Sequence, residues 1–345
     1  MRKLYKHLLP FVLESGEVFQ GIDIAYHTYG TLNYDKSNVI WVCHALTGSS
    51  DVLAWWPGLA GPGRLLDTEK YFIVCANVLG SPYGSTSPQS IDPQSGKPYL
   101  LRFPLITIRD IVKAHQLLAT HLEIGRIHLL IGGSLGGQQA LEWSIMQPER
   151  IERAVVVAAN AVQSPWGIAF NESQRLALLA DRSFDGSNPE GGARGLSAAR
   201  SIAMLSYRTF DAYQHSQHDP ENDKTSGFLA ATYQQYQGIK FTCRFDAYSY
   251  WSLINTLDTH NIARGRDRVE RVLQSISTRV LVGSIVSDLL FPYAEQCYLA
   301  AHIPDAIHIE IESIYGHDGF LMENEKLVEA LSGFFAGSEL EHTTA

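Results

Sequence analysis

The chain has 345 residues, 45% hydrophobic and 18% charged, so it can bury a sizeable core and global disorder is excluded. Asp and Glu outnumber Lys and Arg by 36 to 27, and the net charge of −9 argues against nucleic acid or an anionic membrane as a partner. The longest charge-free stretch, between Arg153 and Glu172, contains several polar residues and cannot be a transmembrane helix.

The two ends of the chain and its cysteines bear on its location. The first 17 residues include Pro10 and lack a small-residue cleavage site, so a secretory signal peptide is not expected. The last residues, 337–345, are expected to be frayed. Four cysteines are scattered without a C-x-x-C pair, which is typical of free thiols in a reducing cytoplasm. We therefore predict a cytoplasmic protein.

Short apolar segments rich in β-branched residues alternate with helical patterns along much of the chain. The segments predict buried strands at 39–44, 71–78, 127–131, 153–159, 279–283 and 307–311. Periodic apolar positions predict helices at 107–122 and 135–146, and residues 19–29 predict antiparallel edge strands. This alternation favours an α/β fold with a mostly parallel sheet that is flanked by helices on both faces.

The alternation of strands and helices is interrupted once. It stops after Asn160 and resumes at Arg279, and the segment between them has helical patterns but no convincing strand. We therefore predict a core domain made of residues 1–160 and 275–345. A helical insertion, residues 161–274, is predicted to lie between two strands of that core.

The strongest local motif is G-G-S-L-G at 132–136, which follows a predicted strand and precedes a predicted helix. It matches the G-x-S-x-G nucleophile elbow of the α/β-hydrolase fold, in which a strained turn projects the serine, here Ser134, above the sheet. Small neighbours are required because backbone passes close to the turn, and the helix N-terminus favours a developing negative charge. A phosphate-binding loop is the alternative, but Gln138 stands where the Walker A motif requires lysine.

A nucleophilic serine needs a base, and the base needs an orienting carboxylate. In the α/β-hydrolase fold the carboxylate and then the histidine follow the serine in the chain. Asp288 follows the predicted strand 279–283, and His317 follows the predicted strand 307–311. Both therefore lie at the carboxyl ends of strands, where α/β sheets carry their sites. Ser134, Asp288 and His317 are the predicted catalytic residues.

Acyl chemistry on this fold also uses an oxyanion hole made of two backbone amides. One amide belongs to the residue after the nucleophile, Leu135, and the other to a loop after an early strand. That loop is 44–50, and Leu46 is the candidate within it, although a plain connecting turn is the alternative.

Several motifs in fixed order resemble those of the homoserine O-acetyltransferase family of methionine biosynthesis, and the similarity runs from about residue 18 to residue 335. The motifs are HALTG at 44–48, NVLG at 77–80, GST at 84–86, FPLITIRD at 103–110, GGSLGG at 132–137, ARSIAMLSYR at 199–208 and YGHDGFL at 315–321. The resemblance implies ping-pong acyl transfer from acetyl-CoA to the hydroxyl of L-homoserine, with no cofactor. It also implies a helical lid and a homodimer formed through the lid.

The resemblance implies the same triad and oxyanion amides as the motifs above, and it adds three substrate-binding residues. Arg200 and Tyr207 correspond to residues that hold the amino acid carboxylate, and Asp318 to the one that pairs with its ammonium group. The chemistry is consistent, because Arg200 and Tyr207 lie two turns apart on one helix face and a guanidinium can grip a carboxylate with two hydrogen bonds. Asp318 directly follows the predicted base.

The sequence departs from the family pattern at two places. Leu135 stands where methionine is common, but only its amide is needed. The segment Ser-Pro-Tyr at 81–83 replaces one that more often contains glycine and cysteine, and if this loop lines the acyl pocket a succinyl donor stays open. Serine stays open as the acceptor, because a pocket distinguishes one methylene by only about 1–3 kcal/mol.

Three other classes of function are open to the same residues. A carboxylic ester hydrolase would use the same triad with water as the acceptor, but it would not need the predicted amino acid contacts. A binding protein without activity is disfavoured because all three triad positions are filled. Metal catalysis is disfavoured because the nearest approach to a ligand cluster, His215, His218 and Asp219, fits a solvated loop better.

Overall fold

The computed structural model describes residues 1–221 and 223–336 of the chain. Their largest element is an eight-stranded sheet, accompanied by a small two-stranded one. The strands are β1 (Lys3–His7), β2 (Phe11–Val12), β3 (Val18–Phe19), β4 (Ile22–Tyr29), β5 (Val39–Cys43), β6 (Phe72–Ala76), β7 (Leu129–Gly133), β8 (Arg153–Val157), β9 (Arg279–Ile285) and β10 (Ile307–Ile311).

The order of strands in the large sheet creates one crevice at its centre. The order is β1-β4-β6-β5-β7-β8-β9-β10. The pairs β1–β4 and β4–β6 are antiparallel, and every later pair, from β6–β5 to β9–β10, is parallel. The chain runs from β5 to β6 on one side and then returns to β7 on the other side of β5. Ligands bind at such a switch point, beyond the carboxyl ends of the strands, and the loops after β5 and β7 meet there.

Helices cover both faces of the sheet, because its central strands are apolar on both sides. Every residue of β5 is buried, and its alternate side chains enter two different core clusters. The helices are α1 (Val52–Trp55), α2 (Ile108–His121), α3 (Leu135–Met146), α4 (Pro165–Leu179), α5 (Ala193–Tyr207), α6 (Phe210–Gln217), α7 (Leu229–Thr242), α8 (Ala247–Asp258), α9 (Val269–Gln274), α10 (Tyr293–His302), α11 (Gly319–Met322) and α12 (Asn324–Ala336).

Helices α4 to α9 lie between β8 and β9 in the chain. Helix α4 starts where Ser164 accepts a hydrogen bond from the Gly167 amide, and α8 starts where Asp246 accepts one from the Ser249 amide. Helix α5 packs against α4, α7 and α8, and also against the short 3₁₀ turn Gly316–Asp318. This last contact brings the segment between β8 and β9 next to the loop that follows β10.

The predicted α/β-hydrolase fold is confirmed, and the predicted strands and the two predicted helices overlap observed ones. Strand β1 was not predicted, because its sequence K-L-Y-K-H has no apolar run and the strand pairs only with β4. The predicted frayed end, 337–345, lies outside the described residues. In the described part of the chain, no helix has both the length and the apolarity needed to cross a membrane.

Candidate active site

The turn between β7 and α3 has the geometry of a nucleophile elbow. Ser134 adopts the strained angles φ 59° and ψ −128°, and its amide donates a hydrogen bond of 3.0 Å to the Val157 carbonyl. A Cβ on Gly136 would lie 2.1 Å from the Cys43 carbonyl oxygen, and one on Gly132 would lie 2.2 Å from the Gly136 oxygen. Glycine is therefore required at both positions, because no side chain fits between these backbones.

Ser134, His317 and Asp288 form a continuous chain of hydrogen bonds. Ser134 Oγ lies 2.9 Å from His317 Nε2, and His317 Nδ1 lies 2.6 Å from Asp288 Oδ2. The other carboxylate oxygen of Asp288 accepts hydrogen bonds from the amides of Leu290 and Phe291, at 2.8 and 2.9 Å. Because Asp288 accepts from Nδ1, the proton of a neutral His317 resides on Nδ1, and Nε2 is free to accept the proton of Ser134.

The electrostatic surroundings of His317 favour its charged form. Burial by itself lowers the pKa of His317, but the carboxylate of Asp288 and, more weakly, that of Asp318 raise it. The net result is a pKa above the ordinary value for histidine. An imidazolium that forms when Ser134 loses its proton is therefore stabilised.

A cavity of about 210 Å³ opens directly onto Ser134 and His317. One part of its wall is apolar and the other is polar and charged. The apolar part consists of Ala45, Leu46, Trp55, Phe320 and Leu321, and the polar part includes Thr47, Arg200, Tyr207, Arg244 and Asp318. A ligand with one apolar end and two opposite charges matches such a wall.

The two residues predicted to supply oxyanion amides lie in the segments that follow β5 and β7. Leu46 lines the cavity, in the loop that follows β5. Leu135 is the first residue of α3 and directly follows Ser134, and its side chain is buried in the core. Amides in the first turn of a helix have no partner within the helix, so the Leu135 amide is available next to Ser134.

Arg200 carries a buried nitrogen that has no hydrogen-bond partner among the described residues. Its guanidinium carbon lies 5.3 Å from the centre of the Tyr207 ring and 5.0 Å from that of Phe241. Within 1–221 and 223–336, Nη1 of Arg200 is buried and has no hydrogen-bond partner. A buried cationic nitrogen without a partner is costly, and the anionic group of a ligand in the cavity would satisfy it.

Tyr207 and Asp318 lie on the same side of the cavity as His317. The Tyr207 ring centre is 5.8 Å from that of His317, and burial raises the pKa of Tyr207 above its ordinary value, so its hydroxyl stays protonated near neutral pH. Asp318 Oδ2 lies 2.9 Å from Arg208 Nε. Burial raises the pKa of Asp318, although Arg208 and His317 oppose this effect.

Three further residues contribute to the site but were not predicted. Arg208 holds Asp318, and the sequence offered a signal for it, since it directly follows Tyr207 in the insertion motif. Trp55 lines the cavity, and its indole nitrogen donates to the Ser49 carbonyl at 2.8 Å. Arg244 donates to the Thr47 carbonyl, 197 residues away, at 2.7 Å. No local sequence pattern predicts a contact between residues so far apart in the chain.

The residues considered as metal ligands do not form a site with one another. His215 and His218 are exposed, and Asp219 pairs with Lys224. Across the described ranges, no group of three or more His, Cys, Asp or Glu side chains is arranged to hold a metal ion.

Comparison with known proteins identifies a family and also shows structural similarity to a hydrolase. The model of the alpha/beta hydrolase fold matches residues 38–322. A homoserine O-acetyltransferase from Cyclobacterium marinum is 47% identical, over 94% of this chain and 92% of its own length. The crystal structure of homoserine O-acetyltransferase from Bacillus anthracis has a TM-score of 0.86 at 27% identity, over 95% of this chain and 97% of that one. An acetylester hydrolase from Corynebacterium glutamicum also has a TM-score of 0.86, at 25% identity, over 97% of this chain and 96% of its own.

Proposed function

The chain belongs to the α/β-hydrolase fold family and, within it, to the homoserine O-acetyltransferases, and on this premise we propose that it transfers an acetyl group from acetyl-CoA to the hydroxyl of L-homoserine. The products are O-acetyl-L-homoserine and CoA, and the reaction serves methionine biosynthesis. The predicted function and enzyme class are confirmed by this membership. The residue roles, the ping-pong route and the assembly below are our proposals.

In the first half-reaction Ser134 attacks the thioester carbonyl of acetyl-CoA. His317 Nε2 takes the proton of Ser134 as the Oγ–C bond forms, and Asp288 stabilises the resulting imidazolium. The oxygen of the tetrahedral intermediate carries the negative charge, and the amides of Leu46 and Leu135 stabilise it. When the C–S bond breaks, His317 returns the proton to the sulfur, so that CoA leaves as a thiol and the acetyl group remains on Ser134.

In the second half-reaction the hydroxyl of homoserine replaces the thiol. His317 takes the hydroxyl proton, the oxygen attacks the acetyl carbonyl, and the same amides stabilise the second intermediate. The bond between the acetyl carbon and Ser134 Oγ then breaks, His317 returns the proton to Oγ, and O-acetyl-L-homoserine leaves. Hydrolysis differs only in that water takes the place of homoserine, so the choice between them depends on what holds the acceptor.

The observation that carries the proposal is the buried Nη1 of Arg200, which has no hydrogen-bond partner among the described residues and belongs to a residue in the wall of the cavity. We propose that it binds the carboxylate of homoserine with help from the Tyr207 hydroxyl. Asp318, in the same cavity, is proposed to bind the ammonium group. An amino acid carries both charges, and the two contacts would direct its side-chain hydroxyl towards Ser134.

We propose that the enzyme acts in the cytoplasm as a homodimer whose subunits meet through the predicted lid, 161–274. Its four cysteines are free thiols, consistent with a reducing compartment. Large apolar side chains are exposed on helices that pack against one another within that segment, including Leu176 on α4, Leu205 on α5 and Ile239 on α7. A contiguous apolar patch made of such side chains would be typical of an interface.

A carboxylic ester hydrolase is the second candidate, and the structural similarity to an acetylester hydrolase favours it. Acyl-enzyme formation followed by competitive discharge separates the two candidates. The enzyme is mixed with acetyl-CoA, the adduct on Ser134 is identified by mass spectrometry, and its decay is followed by rapid quench in buffer and in millimolar homoserine or serine.

We expect an adduct that homoserine discharges at least about tenfold faster than water does, and that does not form in Ser134→Ala. Ser144→Ala is the control, because Ser144 is a buried serine of α3, the helix that follows Ser134. Among the described residues its Oγ donates only to the Ala140 carbonyl. Discharge to water at the rate seen with homoserine would identify an esterase. Faster acylation by succinyl-CoA, or faster discharge by serine, would correct the donor or the acceptor.

A further inference from the structure

Gln139 occupies an unusual position one turn into α3. It is fully buried, and its side-chain nitrogen donates hydrogen bonds to two backbone carbonyls, those of Leu135 and His44, each at 3.1 Å. A primary amide has two hydrogens, so it can make both bonds at once. One carbonyl lies directly after the nucleophile, and the other lies at the start of the loop that contains Leu46. Gln139 thus connects the two segments that flank Ser134.

His44 fixes the same loop from its other side. The imidazole is fully buried; Nε2 accepts a hydrogen bond of 3.0 Å from the Val78 amide, and Nδ1 lies 2.8 Å from the Ala45 carbonyl. Burial lowers the pKa of His44 to about 4, so the ring is neutral near pH 7 and both bonds persist. The backbone on either side of Ala45 is therefore attached to the loop that follows β6 by His44 and to α3 by Gln139.

We propose that Gln139 is a positioning residue, supported by His44, that sets the distance between the amides of Leu46 and Leu135 in the oxyanion hole. The inference rests on the proposed function, because that function assigns the two amides their role. An oxyanion hole stabilises the transition state only when its donors are already in place, and a displacement of about 1 Å can reduce the rate about a hundredfold. Gln139 touches no reacting atom and acts only through the backbone it holds.

The neighbouring residue provides a matched control. Gln138 is also a fully buried glutamine of α3, but its side-chain nitrogen donates to Asn160 Oδ1 at 2.9 Å and to Gln163 Oε1 at 3.5 Å, on the side away from the loop after β5. In both residues Oε1 is buried and has no hydrogen-bond partner in the part of the chain that the structure describes. Replacing either with methionine removes similar hydrogen bonds at similar burial, so a purely structural contribution would be alike in both variants.

The test compares Gln139→Met and Gln138→Met in kcat, KM and Tm, with p-nitrophenyl acetate and with acetyl-CoA plus homoserine. We expect Gln139→Met to lower kcat of both half-reactions by about tenfold to a hundredfold with little change in KM, because both pass through an oxyanion. Gln138→Met should stay within about twofold of the wild type after equal loss of Tm. Equal falls in kcat in the two variants, or a rise in KM alone, would overturn the inference.

Two arms keep the result interpretable. Gln139→Asn retains the amide but is one methylene too short to reach both carbonyls. It replaces Gln139→Met if that variant does not fold, and we expect it to give the same fall in kcat. A wild-type kcat in Gln139→Asn would overturn the inference. p-Nitrophenyl acetate requires neither CoA nor homoserine. If the wild type is acylated by the ester but not by acetyl-CoA, the proposed function fails, while the comparison of the two glutamines still decides the role of Gln139.

Discussion

At the scale of single residues, His317 is governed by the carboxylates beside it, and this sets the pH at which it can act as a base. Its pKa is raised above the ordinary value of about 6.5, and protonated His317 cannot take a proton from Ser134. Activity is therefore lost below the raised pKa and gained above it. We expect kcat/KM for acylation to rise with pH to a plateau, with a midpoint above about 6.5.

Asp288→Asn tests the source of this shift. Removing the carboxylate removes the main influence that raises the pKa of His317, so the midpoint of the pH profile should move to lower pH. The plateau should fall by up to about 10⁴-fold, because an amide also favours the wrong tautomer of the imidazole. Profiles measured by stopped flow with p-nitrophenyl acetate would check both effects. An unchanged midpoint would show that Asp288 does not control the base.

Arg200 is expected to affect one half-reaction and not the other. Arg200→Ala removes the proposed contact to the homoserine carboxylate but none of the groups that act on acetyl-CoA at the reacting carbonyl. Losing a charge-assisted contact costs about 1.5–3 kcal/mol, or about tenfold to a hundredfold in kcat/KM for homoserine, while acyl-enzyme formation stays near the wild-type rate. Arg194→Ala, at an exposed arginine of the same helix, is the control. Slower acylation in Arg200→Ala would contradict the assignment.

The sequence predicted some residues of this site but not others, for a physical reason. Ser134 and His317 have local signals, since a strained turn requires its glycines and the base follows a strand end. Arg200, Tyr207 and Asp318 were predicted only from the resemblance to a family, because nothing in a helix pattern distinguishes a ligand-binding arginine from a surface one. Gln139 was not predicted, since its bond to His44 joins residues 95 apart in sequence.

At the scale of elements, the packing of α3 against β5 is the tightest contact near the site. A methyl group on Gly136 would lie 2.1 Å from the Cys43 carbonyl oxygen, and backbone cannot yield as a flexible side chain can. We expect Gly136→Ala to destabilise the fold by about 1–3 kcal/mol or more, and to slow acylation as α3 moves away from β5. Urea unfolding followed by circular dichroism would measure the change.

Gly333 provides the matched control for that prediction. It lies inside α12, and a Cβ there meets no atom of the residues that the structure describes within 4 Å. Gly333→Ala should therefore stabilise the fold by about 0.5–1 kcal/mol, because alanine loses less backbone entropy in a helix. If both variants lowered the urea midpoint equally, close packing of α3 on β5 would not be the cause.

Elements were predictable where burial imposes a pattern. The central strands are buried on both faces and appear in the sequence as apolar runs, and α2 begins at a capping box formed by Thr107 and Asp110. Strand β1 has no such pattern, because it is held by backbone pairing to β4 and most of its side chains are at least partly exposed. The helical patterns in 161–274 could be predicted from the sequence. The packing of this segment onto the turn Gly316–Asp318 could not, because it depends on contacts between residues distant in sequence.

At the scale of the whole molecule, the backbone does not distinguish transfer from hydrolysis. The homoserine O-acetyltransferase and the acetylester hydrolase match this chain with the same TM-score of 0.86. The common fold supplies the elbow, the base and the position of the cavity. We propose that the side chains that line the cavity select the acceptor. The α/β-hydrolase fold therefore followed from local patterns, while the substrate was inferred from the longer set of motifs.

The assembly of the molecule gives the last prediction. Leu205 is 55% exposed on α5 and Ile239 is 63% exposed on α7, and these two helices pack against each other. Burying such side chains between two subunits would remove apolar surface from water, which is the main force in stable dimers. We expect light scattering after size exclusion to give about twice the chain mass of 38.3 kDa, and Leu205→Asp with Ile239→Asp to give the monomer. Leu9→Asp, at a leucine that is 67% exposed outside 161–274, should leave the dimer intact. A monomeric wild type, or a dimer that survives the double change, would rule out this interface.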